Sequence, residues 1–524
     1  MNQPKIMYYH DGRHPHIYRY EPPMAPEEYI ALVDELAGTT VEAIAFCLGE
    51  GRTMLHDTRA SELMGHNVEV WDHYVFRRAW QNAKSLIDAG HDPLRLVCDR
   101  AHELGIQVYP LLIVQRGGVD HASTRCSNFR IENQHLEIGA AGDLDPDYPG
   151  LDGLDFKHPE VRDERFAIVE EVMGEYPADG FELQLNQMPY FFHPDEIDAG
   201  RTLMTDWIGR VHGAVKQSGS DKELVVHIPD RLEDCARAGL DPEEWVKRGL
   251  VDVIVAENFG ENYRLKMQAD YAEFIGLTQG TPCRLLAPLN GMVFSDRLLD
   301  APLSMLRAAA CNFWDQGVDG LYVSEWFHLW PYEASFYEKL RELPYPSIMV
   351  AKDKYYFLLT NTQDGPAVSR PNPLPRQLDL DQPVELELTI ADDLQKWGEA
   401  DRVHEVLLRF RIHGNVETDR IQFVLNGQIL PDDLRRKINS LYNMDGPRYR
   451  VMGGYWHIFK LDAAHWPVRG KNRIEVTLLE RDADLADPYC TLTDVELETK
   501  YLKGRNFHRA YVDPDLGPAE RKVY

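Results

Sequence analysis

Carboxylates stand at the ends of several short apolar segments in this sequence. Glu182 belongs to a stretch in which every second residue is polar, Glu182, Gln184 and Asn186, and the residues between them are apolar. Period-two alternation puts these three side chains on one face of a strand, and a buried polar stripe is costly unless it is used or fully hydrogen-bonded. Glu257 and Glu325 close two further apolar runs. We predict that Glu182, Glu257 and Glu325 are catalytic.

Aromatic and polar side chains accompany the same strand ends. A pyranose has apolar C–H faces that stack on aromatic rings, and hydroxyl groups that need a few placed polar partners. For single residues a structural role stays open: an aromatic ring could pack over the rim, and His227 could be a hydrogen-bonded core histidine. The residues predicted to bind substrate are Tyr9, His10, Arg116, Gln184, Asn186, Tyr190, His227, Asn258, Asn290, Trp326 and His328.

Two carboxylates that flank a glycosidic bond can hydrolyse it, one as the acid toward the leaving oxygen and the other as nucleophile or as base for water. We predict Glu182 as nucleophile or base and Glu257 as acid, with Glu325 as the substitute. A separation of about 5 Å would indicate retention of configuration, and one well above 6 Å inversion. This mechanism requires no metal and no cofactor.

Two other functions are compatible with the same residues. Glu182, His227, Glu257 and Glu325 also form a plausible oxygen and nitrogen ligand set for Mn²⁺ or Mg²⁺, which would fit a sugar isomerase, epimerase or lyase. A barrel that only binds carbohydrate is the third hypothesis. Elemental analysis and chelator treatment separate the first two, and sugar binding without product release would favour the third.

The elements that must position these residues alternate along the first 345 residues. Short apolar runs alternate with amphipathic helical segments, which is typical of repeated βα units and a parallel sheet. The connections after the second and third runs are long (50–91 and 115–160), and those leading into strands are short, which favours a (β/α)8 TIM barrel with its site at the C-terminal strand ends. The eight predicted strands are 5–9, 41–48, 106–114, 180–185, 223–228, 251–257, 284–289 and 320–326.

A second domain begins where the composition changes after Leu343. Prolines accumulate, and helical periodicity then gives way to the alternation typical of half-buried antiparallel strands. Asn426-Gly427 is a strong hairpin turn, and an antiparallel β-sandwich is the natural packing of such strands. The predicted domains are a catalytic barrel (1–345), a linker-like segment (346–380), the sandwich (381–503) and a C-terminal tail (504–524).

Two phrases of the sequence resemble a known group. The helix opening FKHPEVR at 156–162 and the strand DGFEL at 179–183 are similar to those of glycoside hydrolase-like barrel proteins of the family-ten-like glycosidase group. GLYV at 320–323 and LNG at 425–427 extend the resemblance over most of the chain. It implies a barrel followed by a β-sandwich and a sugar ligand. Where the group's pattern has a second acid on strand four this chain has Gln184, which implies either that the role has moved to Glu182 or that activity is lost.

Charge and composition exclude several partners. The formal net charge is -29, from 85 acidic and 56 basic residues, which repels polyphosphate and argues against nucleic acid. No segment is apolar over the length of a bilayer, so we expect no membrane partner. Seven cysteines without CxxC spacing fit reduced thiols.

The N-terminus and the second domain give two further expectations. The first residues lack a secretory signal, which predicts a cytoplasmic protein that acts on short imported oligosaccharides or glycosides in an exo manner. The sandwich offers surface for a symmetric homodimer.

Overall fold

The computed structural model describes residues 3–49, 53–115, 125–257, 264–293, 295, 298–324, 334–359, 373–439, 453–485, 489–504, 512–513 and 517–518. Its first part is a closed barrel of eight parallel strands in sequential order, which confirms the predicted fold class. The strands are β1 Ile6–His10, β2 Ala43–Gly49, β3 Gln107–Ile113, β4 Gly180–Gln184, β5 Glu223–Ile228, β6 Val253–Ala256, β7 Arg284–Asn290 and β8 Gly320–Ser324. The barrel closes where Met7 of β1 pairs with Tyr322 of β8.

Helices surround this barrel. The side chains of Asp92 and Asp241 accept hydrogen bonds from the backbone N–H groups of Arg95 and Glu244, at 2.8 and 3.0 Å, so both residues are helix N-caps, and a proline follows each of them. None of the helices in these ranges is long and apolar enough to cross a membrane. The helices are α1 Pro26–Asp34, α2 Tyr74–Asp88, α3 Pro93–Glu103, α4 Asn128–Glu132, α5 Pro159–Glu175, α6 Ile197–Ser218, α7 Leu232–Arg237, α8 Pro242–Lys247, α9 Ala272–Thr278, α10 Leu303–Gln316, α11 Ala334–Glu342 and α12 Pro346–Met349.

The N-terminal face of the barrel is fixed by three aspartates that precede strands. Asp179, Asp252 and Asp319 each accept a hydrogen bond from the backbone N–H of the preceding barrel strand, at 2.8, 2.7 and 2.9 Å. These carboxylates therefore satisfy backbone donors at the end of the barrel that is usually concerned with stability.

Antiparallel sheets form the second part of the chain. One sheet has the order β10-β18-β12-β16-β15, with β9 on β18, and the other has the order β11-β17-β13-β14. Asn426 and Gly427 both have positive φ, 51° and 80°, as a tight hairpin turn requires. The elements are β9 Lys354–Leu359, β10 Arg376–Gln377, β11 Pro383–Ile390, α13 Leu394–Glu399, β12 Val403–His413, β13 Arg420–Leu425, β14 Gln428–Ile429, β15 Arg435–Asn439, β16 Gly454–Lys460, β17 Gly470–Glu480, β18 Thr491–Tyr501, β19 Val512–Asp513 and β20 Gly517–Pro518.

The segment predicted as a linker, 346–380, contains regular structure. It carries α12 and β10, and β9 pairs with β18 from Lys354 to Leu359. Lys354 is buried against Asp392, with 2.7 Å between Nζ and Oδ1. Prolines elsewhere in the segment hid this strand from the sequence analysis, because they dominate its composition. The sandwich therefore begins well before residue 381.

Candidate active site

The interior of the barrel is apolar below and polar toward the C-terminal ends of the strands. Glu182 of β4 stands opposite Leu111 of β3 and Val225 of β5 in the sheet register, and both of these neighbours belong to the cluster that fills the barrel. Directly opposed residues share one face of a sheet. Glu182 therefore points into the barrel, and so does Gln184, two positions along. The predicted polar stripe lies inside, as the alternation requires.

A hydrogen-bonded chain of three ionisable side chains crosses this interior. His227, at the end of β5, has Nδ1 3.3 Å from Oε1 of Glu182 and Nε2 2.9 Å from Oε2 of Glu257. The side chain of Glu182 is 0% exposed, that of His227 2% and that of Glu257 8%. The chain thus runs from the buried interior to the mouth, and Glu257 is its outermost member.

Further donors surround the two carboxylates. The Tyr322 hydroxyl of β8 lies 2.9 and 3.1 Å from the two oxygens of Glu182. At the mouth, the Asn290 side-chain amide donates to Oε1 of Glu257, and the Asn186 amide donates to the Glu257 backbone oxygen at 2.9 Å. Both oxygens of Glu257 therefore accept a hydrogen bond, which suits an ionised carboxylate.

The charge of His227 follows from its two partners. Burial alone would lower the pKa of His227. The hydrogen bonds to Glu182 and Glu257 and the charges of those carboxylates outweigh burial and raise this pKa to about 9. The ring is then an imidazolium at neutral pH and donates from both nitrogens. Burial and the neighbouring Glu182 carboxylate raise the pKa of Tyr322 well above its usual value, so its hydroxyl stays a donor.

This geometry bears on the predicted roles of the carboxylate pair. Glu182 and Glu257 do come together, but the imidazole ring of His227 lies between them, and no scissile bond fits there. Glu182 is also closed off from the mouth by the ring. The roles assigned from sequence, Glu182 as nucleophile or base and Glu257 as acid, stay predictions, and the arrangement favours Glu257 as the member that meets a substrate.

Two other predicted binding residues, Tyr9 and His10, lie in different surroundings. Tyr9 is in the inward cluster, with its ring 6.5 Å from that of Tyr322. His10 instead stacks on Phe46 at 5.9 Å, in the layer outside the strands, and accepts from the Gly12 N–H at 3.0 Å. Burial and the nearby Arg19 lower its pKa to about 4, so the ring is neutral. The contacts of His10 with the Phe46 ring and with the Gly12 N–H are those of a residue that packs in the fold.

Tyr190 lies in the loop after β4, against the preceding long loop. Its ring meets Tyr148 edge to face at 5.4 Å, and its backbone oxygen accepts from the Gln115 side chain at 2.8 Å. The same Gln115 amide donates to the Leu154 oxygen at 2.7 Å. Gln115 was not among the predicted site residues, yet it joins the two loops beside the mouth. Its position just after β3 is the signal that could have identified it.

Several predicted residues lie outside the described ranges: Glu325, Arg116, Asn258, Trp326 and His328. Tyr322 was missed as a site residue, since the sequence analysis used it only as part of the GLYV phrase. Tyr322 lies two residues before Ser324, the last residue of β8, so alternation places both side chains on the same face of the strand.

The observed contacts disfavour the metal-ligand hypothesis for His227. Each ring nitrogen already lies within hydrogen-bonding distance of a carboxylate oxygen, so His227 would have to give up one of these contacts in order to ligate a cation. Among the residues with described positions, no group of three or more His, Cys, Asp or Glu side chains is arranged to hold a metal ion. All seven cysteines are buried thiols.

Comparison with known proteins yields structural neighbours alone. No protein-family model matches the chain, and no curated protein sequence matches it. A cycloisomaltooligosaccharide glucanotransferase from Paenibacillus sp., complexed with cycloisomaltoheptaose, matches 93% of this chain and 57% of its own at 12% identity with a TM-score of 0.34. An alpha-amylase from Geobacillus thermoleovorans, complexed with acarbose, matches 91% and 98% at 12% identity and a TM-score of 0.39.

An alpha-L-fucosidase from Vibrio sp. strain EJY3 matches 94% of this chain and 96% of its own at 11% identity, with a TM-score of 0.37. The chain spans 57% of the length of the Paenibacillus glucanotransferase, which is little more than half. At these identities and TM-scores the likeness concerns the fold alone. The narrower resemblance to the family-ten-like group stays a prediction.

Proposed function

We propose that this chain is a glycoside hydrolase whose substrate-facing carboxylate is Glu257. The observation that carries the proposal is the hydrogen-bonded chain Glu182–His227–Glu257, which ends at the C-terminal mouth of a (β/α)8 barrel. Active sites of this fold lie at that face. A carboxylate held there with one cationic and one amide donor is equipped to meet positive charge that develops on a sugar ring.

Glu257 is proposed as the nucleophile. Its two oxygens accept from His227 Nε2 and the Asn290 amide, so its orientation is fixed before substrate binds. A carboxylate oxygen has two lone pairs, and each of these oxygens keeps one for attack. The same donors make Glu257 a poor choice for the acid, whose proton must point toward the leaving oxygen.

The acid is assigned to Glu325, which was the substitute in the sequence-based prediction. Glu325 follows the last residue of β8, and Glu257 follows the last residue of β6, so one strand, β7, separates the two positions in the barrel order. Neighbouring strands lie about 4.8 Å apart. Tyr322 faces into the barrel, so the assignment of Glu325 as acid requires that the strict alternation of β8 ends with the strand at Ser324.

The reaction then proceeds in two balanced steps. The glycosidic C–O bond breaks as a Glu257 oxygen bonds to the anomeric carbon, and the acid gives its proton to the departing oxygen. A water molecule next gives a proton to the same acid residue and displaces Glu257 from the anomeric carbon. The product keeps its anomeric configuration, and Glu257 is free again.

The substrate class proposed is a short oligosaccharide or a small glycoside. The inward polar side chains that support it are amides and a phenol ring, namely Gln184, Asn186, Asn290 and Tyr9, which are at most 4% exposed. Amides and aromatic rings are suited to sugar hydroxyls and to the apolar face of a pyranose. Exo action, a cytoplasmic location and a homodimer stay predictions.

A panel of aryl glycosides and oligosaccharides, assayed for product release, tests the proposal. Once a substrate is found, Glu257→Gln should lower kcat by a factor of about 10⁴ or more, since it removes a nucleophile. Asp230→Asn, in the loop after β5, is the matched control, because Asp230 is paired with Lys266 at 2.9 Å and has no assigned role. Unchanged turnover in Glu257→Gln would refute the assignment, and sugar binding without any product would favour the binding-only hypothesis.

A further inference from the structure

The buried end of the site contains a carboxylate that no substrate can touch directly. Glu182 is 0% exposed and accepts the Tyr322 hydroxyl on both oxygens, at 2.9 and 3.1 Å. Its other partner is Nδ1 of His227, at 3.3 Å. A buried charge is costly unless it is paired and hydrogen-bonded, and Glu182 has both kinds of partner. Any influence that it has on the mouth must pass through the His227 ring.

We propose that Glu182 and Tyr322 are positioning residues that act on Glu257 through His227. This inference rests on the proposed function of Glu257. The ion pair with Glu182 holds the imidazole ring in place and charged, and the ring in turn holds Oε2 of Glu257 at 2.9 Å. Tyr322 fixes the Glu182 carboxylate from the opposite side, so the whole chain has one orientation.

Hydrogen-bond counting explains why Glu182 matters for a residue that it does not contact. A neutral imidazole has one N–H and one lone pair. Between two ionised carboxylates it would direct that lone pair at one of them, and the contact would be repulsive. Only the imidazolium donates to Glu182 and Glu257 at once. The negative charge of Glu182 thus favours the imidazolium, from which Glu257 accepts a charge-assisted hydrogen bond.

The charges around the ring are few and come from identified strands. Those that face His227 are Glu182 from β4 and Glu257 after β6, and Tyr322 from β8 presents its ring 5.1 Å away. Deeper in the barrel, Glu223 is already paired with Arg284 at 2.8 Å. Loss of the Glu182 charge would leave one carboxylate to hold the imidazolium against its burial.

The first experiment measures the ring itself and needs no substrate. Histidine-labelled full-length protein is titrated by ¹⁵N NMR, and the His227 signals are identified by their loss in His227→Gln. Glu182→Gln removes the charge with little change in volume, whereas Tyr322→Phe removes one donor and leaves the charge. We expect the His227 ring to deprotonate at least about one pH unit lower in Glu182→Gln than in the wild type. In Tyr322→Phe we expect a change of less than about half a unit.

An unchanged His227 titration in Glu182→Gln would overturn the inference. Glu182→Asp provides the second variant should the glutamine variant fail to fold, because it keeps the charge but withdraws the carboxylate by one methylene. It should lower the His227 titration by part of the same shift. An Asp variant that titrates like the wild type would count against the proposal equally.

The second experiment separates positioning from mere structure. On a substrate from the panel, Glu182→Gln should lower kcat at least about tenfold with little change in KM, and the alkaline limb of its pH profile should move to lower pH with the His227 titration. A purely structural role would lower the folded fraction and leave the profile in place. If the panel yields no substrate, the proposed function fails while the NMR titration still decides whether Glu182 controls His227.

Discussion

The buried ion pair between Lys354 of β9 and Asp392, which follows β11, should contribute strongly to the stability of the second part of the chain. Lys354 Nζ donates to Asp392 Oδ1 at 2.7 Å and to the backbone oxygens of Val350 and Lys352 at 3.1 and 3.2 Å. The side chains are 1% and 0% exposed. Asp392→Asn leaves the ammonium facing a neutral amide, and breaking a buried pair in this way costs about 3–5 kcal/mol.

The variant keeps the shape of the side chain, so the loss reports on charge. Tyr356 and Thr499 donate to the other oxygen of Asp392 at 3.1 and 2.9 Å, and an asparagine oxygen can still accept from both. Asp393→Asn is the matched control. Asp393 accepts from the Lys396 N–H at the start of α13, a position where asparagine is as good a cap as aspartate.

Thermal and urea unfolding, followed by circular dichroism, would measure the effect. We expect a large fall in Tm for Asp392→Asn and almost none for Asp393→Asn. The double variant Lys354→Met with Asp392→Asn should be more stable than Asp392→Asn, because it removes the unpaired ammonium. The reasoning is refuted if Asp392→Asn lies within about 1 kcal/mol of the wild type, or if the double variant regains nothing.

Three further predictions concern the site and its edges. The pKa of His227 is raised from 6.5 to about 9, which is worth roughly 3 kcal/mol of stability. This stability is fully present below pH 6.5 and is lost as the pH rises through 9. Urea unfolding measured across this pH range should show the loss in the wild type and not in His227→Gln. Burial lowers the pKa of His16 to about 3, so its contribution is present above pH 6.5 and is lost as the pH falls toward 3, and His16→Phe should make Tm less sensitive to acid over that range. Gly12 has φ +66°, and a Cβ there would lie 2.5 Å from the Cys47 backbone oxygen. Gly12→Ala should therefore destabilise the protein by about 1–3 kcal/mol. Gly38 has φ +72° but open space around it, so Gly38→Ala should cost less in the same unfolding assay.

The barrel could be predicted from sequence because its strands are short, apolar and regularly spaced. Alternation also placed Glu182 on the inward face, and the strand ends brought Glu257 and His227 to the same mouth. The hydrogen-bonded order of the three could not be predicted. Alternation sets the face of a side chain, but the depth of a residue in the barrel depends on strand stagger, and this stagger brings His227 between the two glutamates.

Two other differences have causes of their own. Tyr322 looked like part of an apolar strand, and only the closure of the barrel brings its hydroxyl to Glu182. The strand Lys354–Leu359, which pairs with Thr491–Tyr501, was missed because prolines dominate the composition of the segment around it.

Covalent trapping tests the central claim, that Glu257 attacks the sugar, most directly. A 2-deoxy-2-fluoro glycoside with an activated leaving group, matched to the substrate found in the panel, would be incubated with the full-length protein, and the labelled peptide would be identified by mass spectrometry. We predict one sugar per chain, bonded to Glu257, and no label in Glu257→Gln. A label on Glu182 or Glu325, or turnover of the natural substrate with inversion and no label, would contradict the account.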